Sequence, residues 1–429
     1  MNMELEYIKD YLVSFQKTVF PSMVERELKI NSIERKAVTL IGPRRAGKTF
    51  YFFNLISNLE RSKVLYLDFE EPFLKGLSSL DVLKIVLEIF PEAAGGLPEY
   101  VFLDEVQNVS LWESLVRSLL NRGLHVFVTG SSSKLLSREV ATQLRGRSIS
   151  YLLLPFSFRE YLKARSIDVE PNRLGNRGIV KRELKKYLEE GGFPEIVLQM
   201  EKEKILKEYV DLAFFKDFIE RHNVKSITLA RYVFNNLLQN FSQETSIRAI
   251  ERKLKSQGAS FNITTLYKYV ESLEDTLFIH FLRKFSLKAH ERELWPRKVY
   301  LVDTGLTGYT KFSQDFGKLM ENVVFLHLLR ETNQNPLLTF YYWKDYQQNE
   351  VDFVIKEGAN IRELIQVTYA SGKDEIDRRE TDSLLKASES VECNKLSIIT
   401  WDYEDDIKVG NKIIKCAPLW KWLVTCFHP

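Results

Sequence analysis

The feature that most constrains the fold of this chain is a glycine-bearing segment that separates two apolar stretches. Residues 42–49 read GPRRAGKT and match the pattern G-x-x-x-x-G-K-[ST] at every specified position. The run AVTLI at 37–41 is short and rich in β-branched residues, which favours a buried strand, whereas FYFFNLISNLE at 50–60 favours a helix. A turn between a strand and a helix directs backbone N–H groups at phosphate oxygens. The sequence therefore predicts a phosphate-binding loop at the edge of an α/β sheet.

The residue types within this loop indicate which ligand it binds. Gly42 and Gly47 permit tight backbone turns, Lys48 can reach the β and γ phosphates of a nucleotide, and the Thr49 hydroxyl can bind Mg²⁺. Arg44 and Arg45 are at variable positions, so they face solvent, phosphate or another subunit. We expect the whole loop and the residue after it to contact the nucleotide: Gly42, Pro43, Arg44, Arg45, Ala46, Gly47, Lys48, Thr49 and Phe50.

A pair of acidic residues follows a second strand pattern. The run YVFL at 100–103 reads as a buried strand and is followed directly by Asp104 and Glu105. An aspartate in this position completes the Mg²⁺ site of a phosphate-binding loop, and the next acid can polarise an attacking water. A strand that ends in a solvated acidic turn is the alternative. The preceding loop favours a hydrolytic role for the pair.

Hydroxyl side chains follow a third strand pattern, LHVFV at 124–128. Thr129 and the serines at 131–133 then lie at its carboxyl end, where ligands of open α/β sheets bind. Ser131 or Ser132 is the candidate for contact with the γ phosphate. Serines that cap a helix are the alternative interpretation.

Two arginines precede the next strand pattern, at 149–154. Arg145 and Arg147 flank Gly146. An arginine in this zone can reach the γ phosphate bound by a neighbouring subunit, because it stays charged and binds oxygens with two N–H groups. Arg147 is the preferred candidate, and a surface pair without a role is the alternative.

Residues 37–163 resemble the ATPase domain of the AAA+ (additional-strand) class of P-loop proteins. The segments GPRRAGKT, FLDEVQ, VTGSSS and LRGR…LLPFSFREYL resemble a prokaryotic subfamily, common in archaea, that joins this ATPase to a poorly understood C-terminal region. The resemblance covers essentially the whole chain. It implies ATP as the nucleotide, with Mg²⁺.

Residues 164–300 are predicted to form a helical lid followed by a winged-helix domain. Within 245–282, two helical patterns flank a turn at Gly258 and an extended apolar run follows, which is the order of a winged helix. DNA binding by the second helix is one interpretation. Packing alone is favoured, because phosphate repels the acidic side chains of that helix. These are Glu271, Glu274 and Asp275.

Residues 301–429 resemble the PD-(D/E)xK nuclease fold. Glu321 on a helix, then Asp352 and Gln366 on two strands, match the metal-binding positions of that fold. The expected lysine is Thr368, which supplies no positive charge, and Gln366 supplies no negative charge to a metal. Glu321 and Asp352 remain as candidate cation ligands. The departure favours a structural or protein-binding role over cleavage.

Composition excludes several other classes of protein. The net charge of +3 is too small to argue for nucleic acid. The three cysteines form no CxxC pair and no zinc spacing with the six histidines. No signal-peptide pattern is present, and no apolar run approaches the roughly 20 residues that cross a membrane. We therefore expect a cytoplasmic protein without a membrane partner.

The sequence as a whole predicts an α/β protein with a P-loop, AAA+-like parallel sheet at 1–163, a helical and winged-helix domain at 164–300, and a nuclease-like domain at 301–429. The predicted function is a Mg²⁺-dependent ATPase that changes the conformation of a macromolecular partner, with Lys48, Glu105 and Arg147 as catalytic residues. The alternatives are an ATP-dependent DNA-binding or nuclease enzyme and a nucleotide-gated protein-interaction switch. DNA, another protein and a second copy of the chain are the candidate partners.

Overall fold

The computed structural model of this chain describes residues 2–31, 33–131, 144, 146–167, 177–199, 201–258, 260–294, 296–309 and 315–425. The chain divides into two compact units, Met1–Leu154 and Pro155–Pro429. None of the helices in these described ranges is long and apolar enough to span a bilayer.

The first unit is built on a parallel sheet with helices around it. Its strands are β1 Ala37–Ile41, β2 Val64–Asp68, β3 Tyr100–Asp104, β4 His125–Gly130 and β5 Ser148–Leu152. Its α-helices are α1 Asn2–Lys17, α2 Lys48–Ile56, α3 Ser79–Lys84, α4 Phe90–Ala94 and α5 Trp112–Asn121, and a π-helical turn at Ile85–Ile89 joins α3 to α4. The central strands are apolar and buried along almost their whole length, as parallel strands covered on both faces must be.

The strand order of this sheet is β2-β3-β4-β1-β5, and all neighbours are parallel. Strand β4 is therefore inserted between the strand that precedes the loop and the strand that precedes the acidic pair. Phe102 of β3 stacks on Phe127 of β4 at 4.5 Å between ring centroids and meets Phe52 of α2 at 5.1 Å. These contacts anchor α2 on the sheet, and the predicted α/β fold is confirmed.

The second unit combines helices with two sheets. Its helices are α6 Phe158–Ala164, α7 Arg177–Glu190, α8 Pro194–Leu198, α9 Lys202–Leu212, α10 Ile227–Gln239, α11 Ile247–Ser256, α12 Ile263–Asp275, α13 Ala289–Arg292, α14 Phe316–Gln334, α15 Arg378–Ser390 and α16 Leu419–Thr425, with a π-helical stretch at Ala213–Glu220. Its strands are β6 Gln243–Thr245, β7 Ile279–Leu282, β8 Arg297–Leu301, β9 Leu338–Lys344, β10 Glu350–Glu357, β11 Asn360–Val367, β12 Leu396–Thr400, β13 Asp405–Val409 and β14 Lys412–Pro418.

The two sheets of this unit differ in pairing. The three-stranded sheet has the order β6-β8-β7 and is antiparallel. The six-stranded sheet has the order β13-β14-β12-β11-β10-β9 and is mixed, because β12 pairs in parallel with both β11 and β14. Helix α14 precedes β9, and α15 connects β11 to β12. The hydrophobic core beside this sheet includes Val354, Leu364, Leu384 and Ile398.

A buried carboxylate joins two distant glycine turns within the second unit. Asp303 is 3% exposed and accepts hydrogen bonds from the N–H groups of Gly192 at 2.7 Å and Gly305 at 2.8 Å. Gly191 has φ +85°, and a Cβ at this position would lie 1.7 Å from Asp303 Oδ1, so only glycine fits. Burial raises the pKa of Asp303 to about 7, against the lowering effect of the Gly192 and Gly305 N–H groups.

Candidate functional site

The loop at 42–49 passes from β1 into α2 with two residues in left-handed conformations. Arg45 has φ 67° and Gly47 has φ 93°. Gly42 is required by close packing, since a Cβ there would lie 2.2 Å from the carbonyl oxygen of Leu153. Because α2 begins at Lys48, its first N–H groups and the positive end of its dipole face the loop. The loop thus has the backbone form of an anion-binding site.

A buried arginine supports this loop from a distant segment. Arg26 is 8% exposed, its Nη1 donates to the carbonyl oxygen of Ala46 at 3.0 Å, and its Nη2 donates to that of Leu154. No sequence pattern singles out this arginine, because it precedes the loop in a segment without helix or strand. Its role is visible only from the folded chain.

Lys48 is held by oxygen atoms on the loop and on the acidic pair. Its Nζ donates to the carbonyl oxygens of Gly42 at 3.0 Å and Pro43 at 3.3 Å, and it lies 3.3 Å from Glu105 Oε1. The lysine is 6% exposed, so these contacts compensate a nearly buried charge. The loop and β3 therefore meet at this ammonium group.

Asp104 lies at the centre of a hydroxyl network. Thr49 Oγ1 donates to Asp104 Oδ2 at 2.6 Å, the Tyr66 hydroxyl donates to the same oxygen at 3.0 Å, and Thr129 Oγ1 donates to Oδ1. Burial raises the pKa of Asp104, and the hydrogen bonds from Thr129 and Thr49 oppose that effect. The three hydroxyls come from α2, β2 and β4, which orient the carboxylate toward the loop.

The Thr49 hydroxyl and the Asp104 carboxylate fit a Mg²⁺ site. Both are hard oxygen ligands, and their 2.6 Å contact places them on one side of the same small volume. Magnesium in nucleotide sites is held by one or two protein oxygens together with substrate phosphates. Accordingly, no group of three or more His, Cys, Asp or Glu residues that could hold a metal is found among the described residues.

Glu105 points toward the loop in an unusual backbone conformation. Its φ is 53°, and its N–H donates to Thr129 Oγ1 at 2.9 Å. Gln107 Nε2 donates to its carboxylate, which also contacts Lys48. Burial acts to raise the pKa of Glu105, but Lys48, Gln107 and Arg44 outweigh it and the pKa lies below its ordinary value. The side chain is therefore ionised at neutral pH and can accept a proton from water.

At the end of β4, the hydroxyl of Thr129 donates to Asp104. The choice of Ser131 or Ser132 for contact with the γ phosphate stays a prediction. Ser131 follows β4 directly and is 1% exposed, so it lies close to the same sheet edge. Val128 pairs with Leu103 in the β3–β4 register, so the next residue of β4, Thr129, lies beside Asp104. The alternative candidates Ser132 and Arg145 lie outside the described residues.

The variable positions of the loop and the residue after it face outward to different degrees. Arg44 pairs with Glu70 at 2.9 Å. Arg45 is exposed, and Phe50 is 53% exposed. Contacts of these three side chains with a nucleotide remain predictions.

Arg147 lies near the amino-terminal ends of the strands, whereas the loop lies at their carboxyl ends. Its carbonyl oxygen accepts from the N–H of Ala37 at 2.8 Å, and Ala37 is the first residue of β1, whereas Gly42 follows the last. Five strand residues at about 3.3 Å each separate the two edges by roughly 16 Å. The exposed guanidinium donates to Asn121 Oδ1 at 2.5 Å. Arg147 is thus no part of this chain's own phosphate site, and a role on a neighbouring subunit stays a prediction.

The predicted cation ligands of the second unit converge, but on a lysine. Glu321 Oε1 lies 2.9 Å from Lys298 Nζ, and Asp352 Oδ1 lies 2.8 Å from it. Gln366 joins them, because its Oε1 accepts the N–H of Asp352 at 3.4 Å. Thr368 follows the end of β11. Sequence patterns did not indicate Lys298, which lies on β8 in the other sheet.

Three family descriptions match successive parts of the chain. Residues 34–162 match "AAA domain", residues 181–315 match "Domain of unknown function (DUF8612)", and residues 316–422 match "Domain of unknown function (DUF4143)". The first match contains the loop, the acidic pair and all the strands that the structure describes in the first unit.

Similar proteins align over nearly their full length. Uncharacterized protein MJ1544 of Methanocaldococcus jannaschii is 36% identical over 417 residues, which cover 94% of this chain and 91% of that protein. An uncharacterized protein of Haemophilus influenzae is 26% identical over 379 residues, covering 86% and 90%. Among solved structures, Cdc6p from Pyrobaculum aerophilum aligns with a TM-score of 0.24 and 8% identity, covering 67% of this chain and 88% of that one.

Proposed function

This chain belongs to the family of MJ1544 from Methanocaldococcus jannaschii, and from that premise we propose that it is a Mg²⁺-dependent ATPase whose cycle changes the conformation of a macromolecular partner. One observation carries the proposal. Lys48, Thr49, Asp104 and Glu105 converge within hydrogen-bonding distances at the carboxyl edge of the parallel sheet, where such sheets bind their ligands.

The loop residues bind the phosphates in this proposal. Backbone N–H groups at 42–49 and the N-terminus of α2 donate to phosphate oxygens, and Lys48 adds a charge-assisted bond to the β and γ phosphates. Thr49 and Asp104 would hold Mg²⁺, whose contribution when bound is positive charge beside the phosphate oxygens. Tyr66 and Thr129 orient the Asp104 carboxylate through their hydroxyls.

Glu105 orients the attacking water and accepts its proton. The structure pairs Glu105 with Lys48 at 3.3 Å, so a phosphate that attracts Lys48 also releases the carboxylate. A triphosphate competes well for the ammonium because it carries more negative charge than one carboxylate. Glu105 would then act on water only when nucleotide is bound.

Replacing Lys48 by alanine tests the ATPase assignment. We expect the dissociation constant for ATP to rise by roughly 10- to 150-fold, because about 1.5–3 kcal/mol of charge-assisted hydrogen bonding is lost. Turnover should fall to background. The measurements are phosphate release and binding of a fluorescent ATP analogue. Lys36→Ala is the matched control, since Lys36 is exposed and precedes β1 at the opposite edge. Wild-type turnover in Lys48→Ala contradicts the proposal.

An arginine supplied by a neighbouring subunit is the second part of the mechanism. If Arg147 acts in this way, turnover per chain rises with protein concentration, and Arg147→Ala lowers it by about 10³-fold. Arg122→Ala is the control, because Arg122 is also exposed and lies beyond α5, near the same edge. If turnover does not depend on protein concentration and Arg147→Ala leaves it unchanged, Arg147 does not act on the γ phosphate of a neighbouring subunit. The mechanism then gives no reason to propose a homo-oligomer.

We propose a winged-helix domain within 164–300 and a nuclease-like domain at 301–429. The succession α10-β6-α11-α12-β7-α13-β8 and the sheet order β6-β8-β7 support the first assignment. The succession α14-β9-β10-β11-α15-β12 supports the second. These regions would hold the macromolecular partner.

The nature of that partner is open between protein and DNA. Of the acidic residues that would repel DNA, Glu271 is exposed, whereas Asp275 is buried beside His222 at 3.2 Å. Burial also raises the pKa of Glu274. Repulsion is therefore weaker than the sequence suggests. We prefer a protein partner because the net charge is only +3, and a duplex-DNA binding assay with ATP present discriminates between the two.

A further inference from the structure

Three carboxylates in the second unit converge on one ammonium group. Lys298 Nζ lies 2.9 Å from Glu321 Oε1, 2.7 Å from Glu350 Oε1 and 2.8 Å from Asp352 Oδ1. The lysine comes from β8, Glu321 from α14, and the other two acids from β10. The cluster therefore joins three elements that are distant in sequence.

Three of the four residues of this cluster are buried, and the fourth, Glu350, has its side chain 29% exposed. Lys298 is 2% exposed and Asp352 is 5% exposed. The Tyr300 hydroxyl donates to Glu321 Oε1 at 2.6 Å, and the N–H of Val367 donates to Asp352 Oδ2 at 2.9 Å. Buried charges are tolerated only when they are paired and hydrogen-bonded in this way.

The lysine remains a cation in these surroundings. Burial acts to lower the pKa of Lys298, but the charges of Asp352, Glu321 and neighbouring groups outweigh it and hold the pKa well above its ordinary value.

The residues present do not fit the metal that a nuclease of this fold requires. Divalent ions bind carboxylate oxygens at about 2.0–2.6 Å and need them free. Here Glu321 and Asp352 both direct an oxygen at Lys298 Nζ, and a metal at that point would collide with the ammonium. Gln366 and Thr368, at the remaining positions of the pattern, bring neither a negative charge nor a lysine.

We propose that Lys298 is the built-in cation of this site, so that the nuclease-like region binds no divalent metal there and the cluster fixes the two sheets of the second unit to each other. The cluster continues through Lys344 of β9, which lies 3.0 Å from Glu350 and 2.8 Å from Glu244 of β6. Acids and lysines thus alternate from Asp352 through Lys298, Glu350 and Lys344 to Glu244.

Removal of the Lys298 ammonium is expected to create a metal site. Three carboxylates that surround one ammonium become a divalent-cation site when the ammonium is removed, because their mutual repulsion then lacks compensation. Lys298→Ala in the full chain is therefore expected to bind one more Mn²⁺ than the wild type, measured by equilibrium titration with MnCl₂. Its thermal unfolding temperature should fall in EDTA and recover in Mn²⁺.

Matched variants assign the gained ion to this site. Lys344→Ala removes the second lysine of the alternating series of acids and lysines. We expect this variant to be less stable than the wild type but to bind no additional Mn²⁺ ion. Combining Lys298→Ala with Asp352→Asn should abolish the gain. If Lys298→Ala folds but binds no additional Mn²⁺, the claim that the Lys298 ammonium takes the place of a divalent ion is wrong.

The wild-type chain decides the main claim even if Lys298→Ala does not fold. We expect the number of Mn²⁺ ions bound by the wild type to equal the number bound by Asp352→Asn, and we expect no Mn²⁺-dependent nicking of supercoiled DNA. A Mn²⁺ ion that the wild type binds and Asp352→Asn loses, or nicking that Asp352→Asn abolishes, overturns the proposal. Neither result bears on ATP turnover in the first unit, so the ATPase proposal is tested separately.

Discussion

Replacing Glu105 by glutamine is expected to lower ATP turnover by about 10²- to 10⁴-fold while ATP binding is retained. Glutamine has nearly the same size but cannot accept a proton from the attacking water. The change also removes the negative charge that lies 3.3 Å from Lys48, so the lysine is freer to bind phosphate. Single-turnover phosphate release and equilibrium ATP binding, measured on the same preparation, separate the two effects.

The control for this variant is Glu99→Gln. Glu99 is exposed and directly precedes β3, whereas Glu105 directly follows it. The two substitutions are therefore chemically identical but lie at opposite ends of the same strand. Equal turnover in Glu105→Gln and wild type would show that this carboxylate does not act on water. Under the alternative of an interaction switch, Glu105→Gln also holds its partner longer in ATP, and retention that is independent of nucleotide contradicts that alternative.

Replacing Asp303 by asparagine is expected to destabilise the second unit by about 3 kcal/mol. Both oxygens of Asp303 accept backbone N–H groups, from Gly192 and Gly305, and an amide would direct an N–H₂ group at one of them. A buried donor that faces a donor loses its hydrogen bond and is not hydrated. Urea unfolding followed by tryptophan fluorescence reports on this unit, because every tryptophan except Trp112 belongs to it.

The same residue predicts how stability depends on pH. The pKa of Asp303 is about 7 in the folded chain, above its ordinary value of 3.8. Between these values the folded chain holds a proton that the unfolded chain has lost. The resulting stabilisation is complete below the lower value and is lost as the pH rises through the higher one. Asp303→Asn should remove this pH dependence. Asp374→Asn, an exposed control, should keep both the pH dependence and the wild-type midpoint; equal midpoints in all three proteins contradict the prediction.

Features that depend on neighbouring residues were predictable from the sequence. The loop at 42–49 is specified locally, because Gly42 and Gly47 permit its backbone and the flanking patterns specify a strand and a helix. Asp104 and Glu105 were predictable for the same reason, since a carboxylate directly after a buried parallel strand must reach the carboxyl edge of the sheet. The AAA match at 34–162 confirms the class that these motifs indicate.

Partners across the fold were decided only by the tertiary structure. The β3–β4 register brings the Thr129 hydroxyl to Asp104, a contact that the sequence did not indicate. The pairing of β5 with β1 also decides that Arg147 lies at the amino-terminal ends of the strands, away from this chain's own loop, whereas its role on the γ phosphate of a neighbouring subunit stays a prediction.

The sequence by itself determined that this chain carries a strand, a phosphate-type loop and an acidic strand end, because those depend on dihedral preferences and on periodicity over a few residues. The tertiary structure decided what the carboxylates of the second unit hold. Glu321 and Asp352 are recognisable as a pair, but Lys298 is brought between them by a contact between two sheets. An ion pair depends on the distance between atoms, and sequence spacing does not determine that distance across a folded chain.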